Sequence, residues 1–468
     1  MIISVTAEIG LDFGQNFAGG LGVLEGDKFY AASRLGIDYT VITLFYRKGY
    51  VNGEEKQKEL LSKLVKEWEA EISIKGQNVK IEYLAYTLNK AKVVFANVIS
   101  PELSRLNDVL YVENSEEEKF YKCLLLAKVS EKYIEKVGWD NVRYVDMQES
   151  CPAFLPLLHY FPRYRIIIHT PAPWGHPTFS SNLFKSELGY EFPLDRVVMT
   201  DIALSSSIEG IVVSRKMLKH VQRTFPQHMH KIRAITNAIE IPRWRNPLLN
   251  DVKDFDDFVK KKEEVKKESI KKLGKEAIKP VISWVRRITM YKRPDFILRL
   301  IDDMKDDVIF IIGGIAHPME YSAVEIERKF KELATHKSNV IYIPGVDVNL
   351  MKLAIWSSDI WTFTPFSGWE ASGTSFMKAG INGVPSVASR DGAVPEIIRD
   401  GYNGWLYGED VDKTLPINLY DNNKEYEEFL RKVKQALNEY HRVGYNAYQS
   451  FPSYCSMDRL MKDYGYIK

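Results

Sequence analysis

Cysteine is scarce in this chain: Cys123, Cys151 and Cys455 are the only three in 468 residues, widely separated and without a C-x-x-C pair. That pattern offers no thiolate metal site and predicts a reducing setting with no disulfide frame. Neither sign of charge is in excess, with 64 basic against 62 acidic residues and a net charge of +2. Nothing here addresses nucleic acid or an anionic membrane surface. No apolar run approaches the length of a membrane span. The opening "MIISVTAEIG" lacks the basic start and long apolar stretch of a signal peptide and reads as a first strand. A soluble, cytoplasmic chain is expected. Solenoid-period repeats and low-complexity tracts are missing as well.

What is present is ordinary globular composition, 45% apolar and 27% charged, long enough for two or three domains. Short β-branched runs alternate with helical periodicity, which predicts parallel α/β construction. In the first half, strands are predicted at 2–7, 39–45, 141–147, 165–170 and 210–214, with a helix over 118–137. Dense mixed charge at 251–279 predicts a solvated helix with i,i+4 pairs and marks a domain boundary. A second series follows, with strands at 280–285, 307–314, 339–345, 359–365 and 385–389 and helices over 322–336, 424–443 and 455–467. The expected architecture is two doubly wound, Rossmann-like domains, residues 1–250 and 251–454, the first completed by the C-terminal helix 455–468. Ligands of open parallel sheets sit beyond the carboxyl ends of strands, so a central cleft faced by both domains is the expected site.

Chemistry-bearing residues gather at those strand ends. Gly19, Gly20 and Gly22 precede a helix, where free amides suit an anion, although a tight strand-to-helix turn also needs glycine. "RRITMYKR" places Arg286, Arg287, Lys292 and Arg293 after the strand 280–285, enough cation for a phosphate or pyrophosphate. His169 opens a proline-stiffened loop after another strand. His220, His228 and His230 lack acidic or cysteine partners at metal-binding spacing and read as surface residues, so no metal is expected. Ser150 and Cys151 have no nucleophile-elbow context. In "WEASGTSFMKAGINGVPS", Ser372, Gly373, Thr374 and Ser375 precede a helix carrying Lys378, eight residues after Glu370. Hydroxyls and amides there form a second anion cradle, and a buried lysine beside it serves as phosphate ligand or Schiff-base former.

These motifs together resemble the α-glucan (glycogen, starch, maltodextrin) phosphorylases. "FAGGLGVLEGDKFYAASRLGIDYTVITLFYRKGYV" is similar to the family's glycine-loop region, and "HTPAPWGH" to its H-T-P-x-P-x-G-H. "ITNAIEIPRW" resembles T-N-G-x-x-x-P-x-W, "VRRITMYKRP" resembles R-R-x-x-x-Y-K-R, and "EASGTSFMKAGINGV" resembles E-A-S-G-T-S-x-M-K-x-x-x-N-G-V. The resemblance implies the two-domain GT-B glycosyltransferase fold and reversible, retaining phosphorolysis of α-1,4-glucan to α-glucose 1-phosphate. It implies pyridoxal 5'-phosphate on Lys378, with Arg286, Thr374, Ser375 and Gly20 holding the cofactor phosphate. Arg287 and Lys292 would then bind substrate phosphate. His169, Asn237, Glu370, Ser372 and Gly373 would bond the glucosyl unit, with Leu21 nearby. Partners so implied are a glucan or maltodextrin and inorganic phosphate or glucose 1-phosphate; a homo-oligomer is compatible with the family.

The chain departs from that family in three respects. It is shorter than usual, so regulation and quaternary structure are not carried over. Ala238 replaces the glycine of T-N-G, and "QES" at 148–150 departs from the family's N-E-G-H. "DGAVPEIIRDGYNGWLYG" at 391–408 reads more like nucleotide-sugar glycosyltransferases. The rival expectation is therefore a glycogen synthase-like glucosyltransferase using a nucleotide sugar; another, of a different class, is a non-catalytic glucan-binding relative.

Overall fold

Uninterrupted β-branched and aromatic runs form strands because a strand covered on both faces exposes neither set of side chains to water. The computed structural model describes residues 1–345 and 347–468. It divides into two compact units: Met1–Val213 with Leu218–Ile235 and Met461–Lys468, and Ser214–Met217 with Thr236–Leu460.

The first unit holds β1 (Ile2–Val5), β2 (Tyr39–Leu44), β3 (Val65–Ile74), β4 (Gln77–Leu88), β5 (Ala91–Val98), β6 (Tyr144–Gln148), β7 (Tyr164–Ile168), β8 (Thr178–Ser180), β9 (Arg196–Val198), β10 (Glu209–Val212) and β11 (Ile232–Ala234). Nine of them form one sheet in the order β11-β10-β7-β6-β1-β2-β5-β4-β3. Pairing is parallel from β11 to β5 and antiparallel through β4 and β3. The strand order reverses between β1 and β6, so the chain segments leaving those neighbours open a crevice at the sheet's carboxyl edge. The C-terminal tail is stitched into this unit. Arg165 grips Asp146 through Nε at 2.7 Å and Nη2 at 2.8 Å, gives Nη1 to the Tyr464 carbonyl at 2.8 Å, and the Tyr466 hydroxyl donates to Asp146.

The second unit contains β12 (Val281–Val285), β13 (Ile309–Gly314), β14 (Val340–Pro344), β15 (Ile360–Phe363), β16 (Ser386–Ser389) and β17 (Trp405–Tyr407). The sheet is parallel in the order β14-β13-β12-β15-β16-β17, with its reversal between β12 and β15. Trp284, Phe296, Phe310, Phe330, Trp405 and Phe429 fill its core, each fully buried large side chain contributing roughly 1.5–3 kcal/mol.

Several expectations are corrected. The units part at Thr236 rather than at 250, because the following loop bonds within the second unit: Thr236 Oγ1 donates to Glu396, and Arg245 Nε to the Ile381 carbonyl at 3.0 Å. The tail that joins the first unit begins at Met461 rather than 455. The charged helix spans Phe255–Lys272 and is not wholly solvated, since Phe258, Val265, Lys266 and Ile270 form a buried face. Cys123 and Cys151 are joined in a disulfide with Cα atoms 4.9 Å apart. Separation along the chain hid that bond, which links the helix Glu116–Val137 to the turn after β6. Among the described residues, no helix is long and apolar enough to cross a membrane.

Candidate active site

In the second unit the residues with chemistry lie just past β12, β15 and β16, neighbouring strands whose carboxyl ends share one sheet edge. Arg286 follows β12 directly and is buried. Its Nη2 donates to Ser375 Oγ at 2.7 Å, while Nε and Nη1 make no hydrogen bond within the protein. Ser375 Oγ also accepts the Trp361 indole at 3.3 Å, leaving its own proton to give away. Burial lowers the pKa of Arg286, opposed chiefly by Glu370. Gly314 is obligatory beside it, because a Cβ there would stand 1.8 Å from the Arg286 carbonyl oxygen.

Lys292 Nζ lies 3.5 Å from Glu370 Oε2. Burial brings its pKa down to about 8, with Glu370 opposing and Arg286 and Arg287 assisting. Arg287 is half-buried next to Arg286. Arg293, which the sequence groups with these cations, belongs to the core instead. It is fully buried, donates to the carbonyls of Thr364 and Pro365, and pairs with Glu425.

After β15, Glu370 is held from behind by Asp391, whose carboxylate accepts the backbone N–H groups of Gly368, Trp369 and Glu370. Burial pushes the Asp391 carboxyl up to about 7 against the pull of Lys216 and the backbone amides of Glu370, Gly368 and Gly392. Gly373 has φ of +72°, and a Cβ there would meet the Phe363 ring at 2.5 Å, so only glycine fits. Thr374 stands at the N-cap position of the helix Ser375–Gly380 without a side-chain capping hydrogen bond. Lys378, on that helix, is buried with its ammonium 4.1 Å from the centre of the Trp244 ring. Two buried polar atoms, Ser372 Oγ and Asn237 Oδ1, make no hydrogen bond within the protein.

In the first unit, Gly20 is the exposed first residue of the helix Gly20–Leu35, and Leu21 beside it is half-buried. The turn before that helix is fixed by Glu8, whose Oε2 accepts the N–H of Ala18 at 2.5 Å and of Gly19 at 3.3 Å. His169 directly follows β7; its N–H donates to both oxygens of Glu149 and its ring Nε2 lies 2.8 Å from Gln148 Oε1. Burial, and secondarily Lys28, drives the imidazole pKa well below its ordinary value. Glu149 itself, with φ of +65°, is pushed up to about 8 by burial.

Within the second unit the structure therefore gathers Arg286 with Ser375, Lys292 with Glu370, and Lys378 with Trp244. Sequence reasoning missed Asp391, Trp244, Gln148 and Glu149 as supporting residues. The strand-end positions of Gln148, Glu149 and Asp391 are the signal that could have found them.

Residues 265–450 match the family model of glycosyl transferases group 1. They form a glycosyltransferase domain. Among solved structures, the catalytic domain of starch synthase IV from Arabidopsis thaliana, bound to ADP and acarbose, superposes with a TM-score of 0.77. It is 17% identical, and the likeness covers 99% of this chain and 98% of that one. The fold is thus the GT-B glycosyltransferase fold. Among curated relatives, a maltodextrin phosphorylase of Thermococcus litoralis is 24% identical over 84% of this chain. The match covers 60% of that relative's length. The uncharacterized protein MJ1631 of Methanocaldococcus jannaschii is 25% identical over 81% of this chain and 82% of its own.

Proposed function

We propose that the protein moves α-linked glucosyl units between an α-1,4-glucan or maltodextrin and a phosphate-bearing partner. Arg286 carries this reading: a buried guanidinium at the sheet's switch point, with two nitrogens unbonded, calls for an anion. Arg286, Arg287 and Lys292 would neutralise charge gathering on phosphate oxygens as the glycosidic bond breaks. Preorganised donors of this kind are each worth about 10²–10³ in rate. Glu370, Ser372 and Asn237 would take the sugar hydroxyls. A sugar lacking a matching hydroxyl leaves one of them unpaired, at about 1–3 kcal/mol.

Two donors suit this anion site. A nucleoside diphosphate glucose is supported by the group 1 domain and by a fold shared over nearly all of a starch synthase catalytic domain whose structure holds ADP. Free phosphate, giving glucose 1-phosphate, is supported by Lys378 and by the phosphorylase among the sequence relatives. The comparisons weigh at least as much for the nucleotide sugar; the side chain at 378 speaks for phosphate.

The residues present fit pyridoxal phosphate. Lys378 is a buried primary amine beside the flat Trp244 indole, and Arg286 and Ser375 offer free hydrogen-bonding capacity for a phosphate. When bound, the cofactor would supply a phosphate group able to share a proton with the substrate phosphate. Lys378 would hold it, and Arg286, Thr374 and Ser375 would carry its charge.

The test is to offer the purified protein maltopentaose with ADP-glucose, UDP-glucose or glucose 1-phosphate, and to map borohydride-reduced peptides by mass spectrometry. Phosphate release from glucose 1-phosphate, with a phosphopyridoxyl group on Lys378, establishes the phosphorylase. Nucleotide release without use of glucose 1-phosphate establishes the synthase-like enzyme. Use of neither donor overturns glucosyl transfer and leaves a glucan-binding relative.

A further inference from the structure

Four fully buried polar side chains line up at the switch point of the first unit's sheet. Ser4 lies on β1, Gln148 ends β6, and Glu25 and Lys28 lie on the helix Gly20–Leu35. Lys28 Nζ stands 3.5 Å from Gln148 Oε1 and 3.5 Å from Glu25 Oε2. Gln148 Nε2 donates to Ser4 Oγ at 3.0 Å. The His169 ring meets the same Gln148 oxygen through Nε2 at 2.8 Å.

An ammonium can only donate, so Lys28 pins the amide of Gln148 with its oxygen forward; turned over, the amide would set its NH₂ against a cation. Burial opposes the charge on Lys28, but Glu25, Tyr464 and Asp146 outweigh it and hold its pKa above the ordinary lysine value. An oxygen fixed as acceptor requires a proton on the imidazole nitrogen that faces it. In a neutral ring the other nitrogen, Nδ1, is then bare. The groups facing His169 favour neutrality: Lys28 repels a second positive charge, and the buried Glu149 carboxyl is engaged by the backbone N–H of His169.

We propose that Lys28 and Gln148 are positioning residues that lock His169 as an Nε2–H tautomer, so that Nδ1 is a standing acceptor for a sugar hydroxyl. This rests on the reading of the protein as a sugar-handling enzyme, but the tautomer itself does not. The lock selects against a ligand that lacks a hydroxyl at that point, because such a ligand would cover the half-buried ring and leave its bare nitrogen unpaired.

Long-range ¹⁵N–¹H correlation spectra of protein labelled at histidine read which ring nitrogen carries the proton, and His169→Gln identifies the His169 signals by their loss. The expected spectrum has Nε2 protonated, Nδ1 bare, and no titration across the neutral range. Adding maltotriose or glucose should shift the Nδ1 signal. Gln148→Met should mix the tautomers and raise the KM for the sugar substrate about tenfold with a smaller change in kcat. Gln148→Glu, which keeps an acceptor but adds a charge, should keep Nε2–H and let the ring titrate near neutrality. A wild-type Nδ1–H tautomer, or a wild-type ring that titrates near neutral pH, overturns the lock. An Nδ1 signal unmoved by saturating glucose and maltotriose overturns the hydroxyl contact. Failure of both donor assays with the tautomer intact would count against the transferase reading, not against the lock.

Discussion

The Asp391 carboxylate accepts the backbone N–H of Glu370 at 2.7 Å, and that of Gly368 at 2.7 Å, from a fully buried position. It holds the backbone of the loop that carries Glu370 through the amides of Gly368, Trp369 and Glu370. Its raised pKa, from 3.8 to about 7, means the folded state keeps a proton that the unfolded chain has already lost. Stability from this group therefore falls as pH rises from about 4 to about 7. Asp391→Asn should remove that slope in urea melts at several pH values and cost about 1–3 kcal/mol at pH 8. An unchanged slope would show that another group carries it.

Lys292 loses its proton near pH 8 when no anion is present. The KM for the phosphate-bearing substrate should accordingly rise as pH climbs through 8. Lys292→Arg, which stays charged, should flatten that limb even if kcat suffers. A limb that persists in the arginine variant points to a different titrating group.

Lys378→Ala takes an amine out of a buried position over Trp244. The expected result is loss of pyridoxal phosphate incorporation and of glucose 1-phosphate use together, with an unaltered circular dichroism spectrum. Full activity with ADP-glucose in the same variant would assign the enzyme to the nucleotide-sugar branch.

The Cys123–Cys151 bond closes a sequence separation of 28 residues. Reduction, or the paired Cys→Ser variant, should cost roughly 3 kcal/mol and lower Tm by several degrees. Mass spectrometry under non-reducing conditions checks first that the bond is present in the isolated protein.

Strands such as β12 and β13 were legible because burial on both faces leaves continuous apolar text, "VISWV" and "IFIIGG". β3 was not: its "VKEWEAEISI" is mostly exposed and rich in charge, and only pairing with β4 makes it a strand. The C-terminal helices read as 424–443 and 455–467 are Asn422–Cys455 and Met457–Asp463. The first runs on through Pro452, which lies in its last turn. In the site, Arg286 and Ser375 stood out by motif. Gln148 and Glu149 did not, because what they do depends on β6 lying beside β7, a pairing no local pattern records. Cys123 and Cys151 failed for the same reason.

Because the last residues, Met461–Lys468, return to the first unit, that unit is not a continuous stretch of gene. A fragment ending at Ile235 would keep Arg165 and Asp146 but lose Tyr464 and Tyr466, stripping a buried ion pair of two of its partners. Separate production of the halves thus needs the tail grafted back or the chain circularly permuted. A single protease cut at the junction should leave two pieces that still migrate as one until denatured.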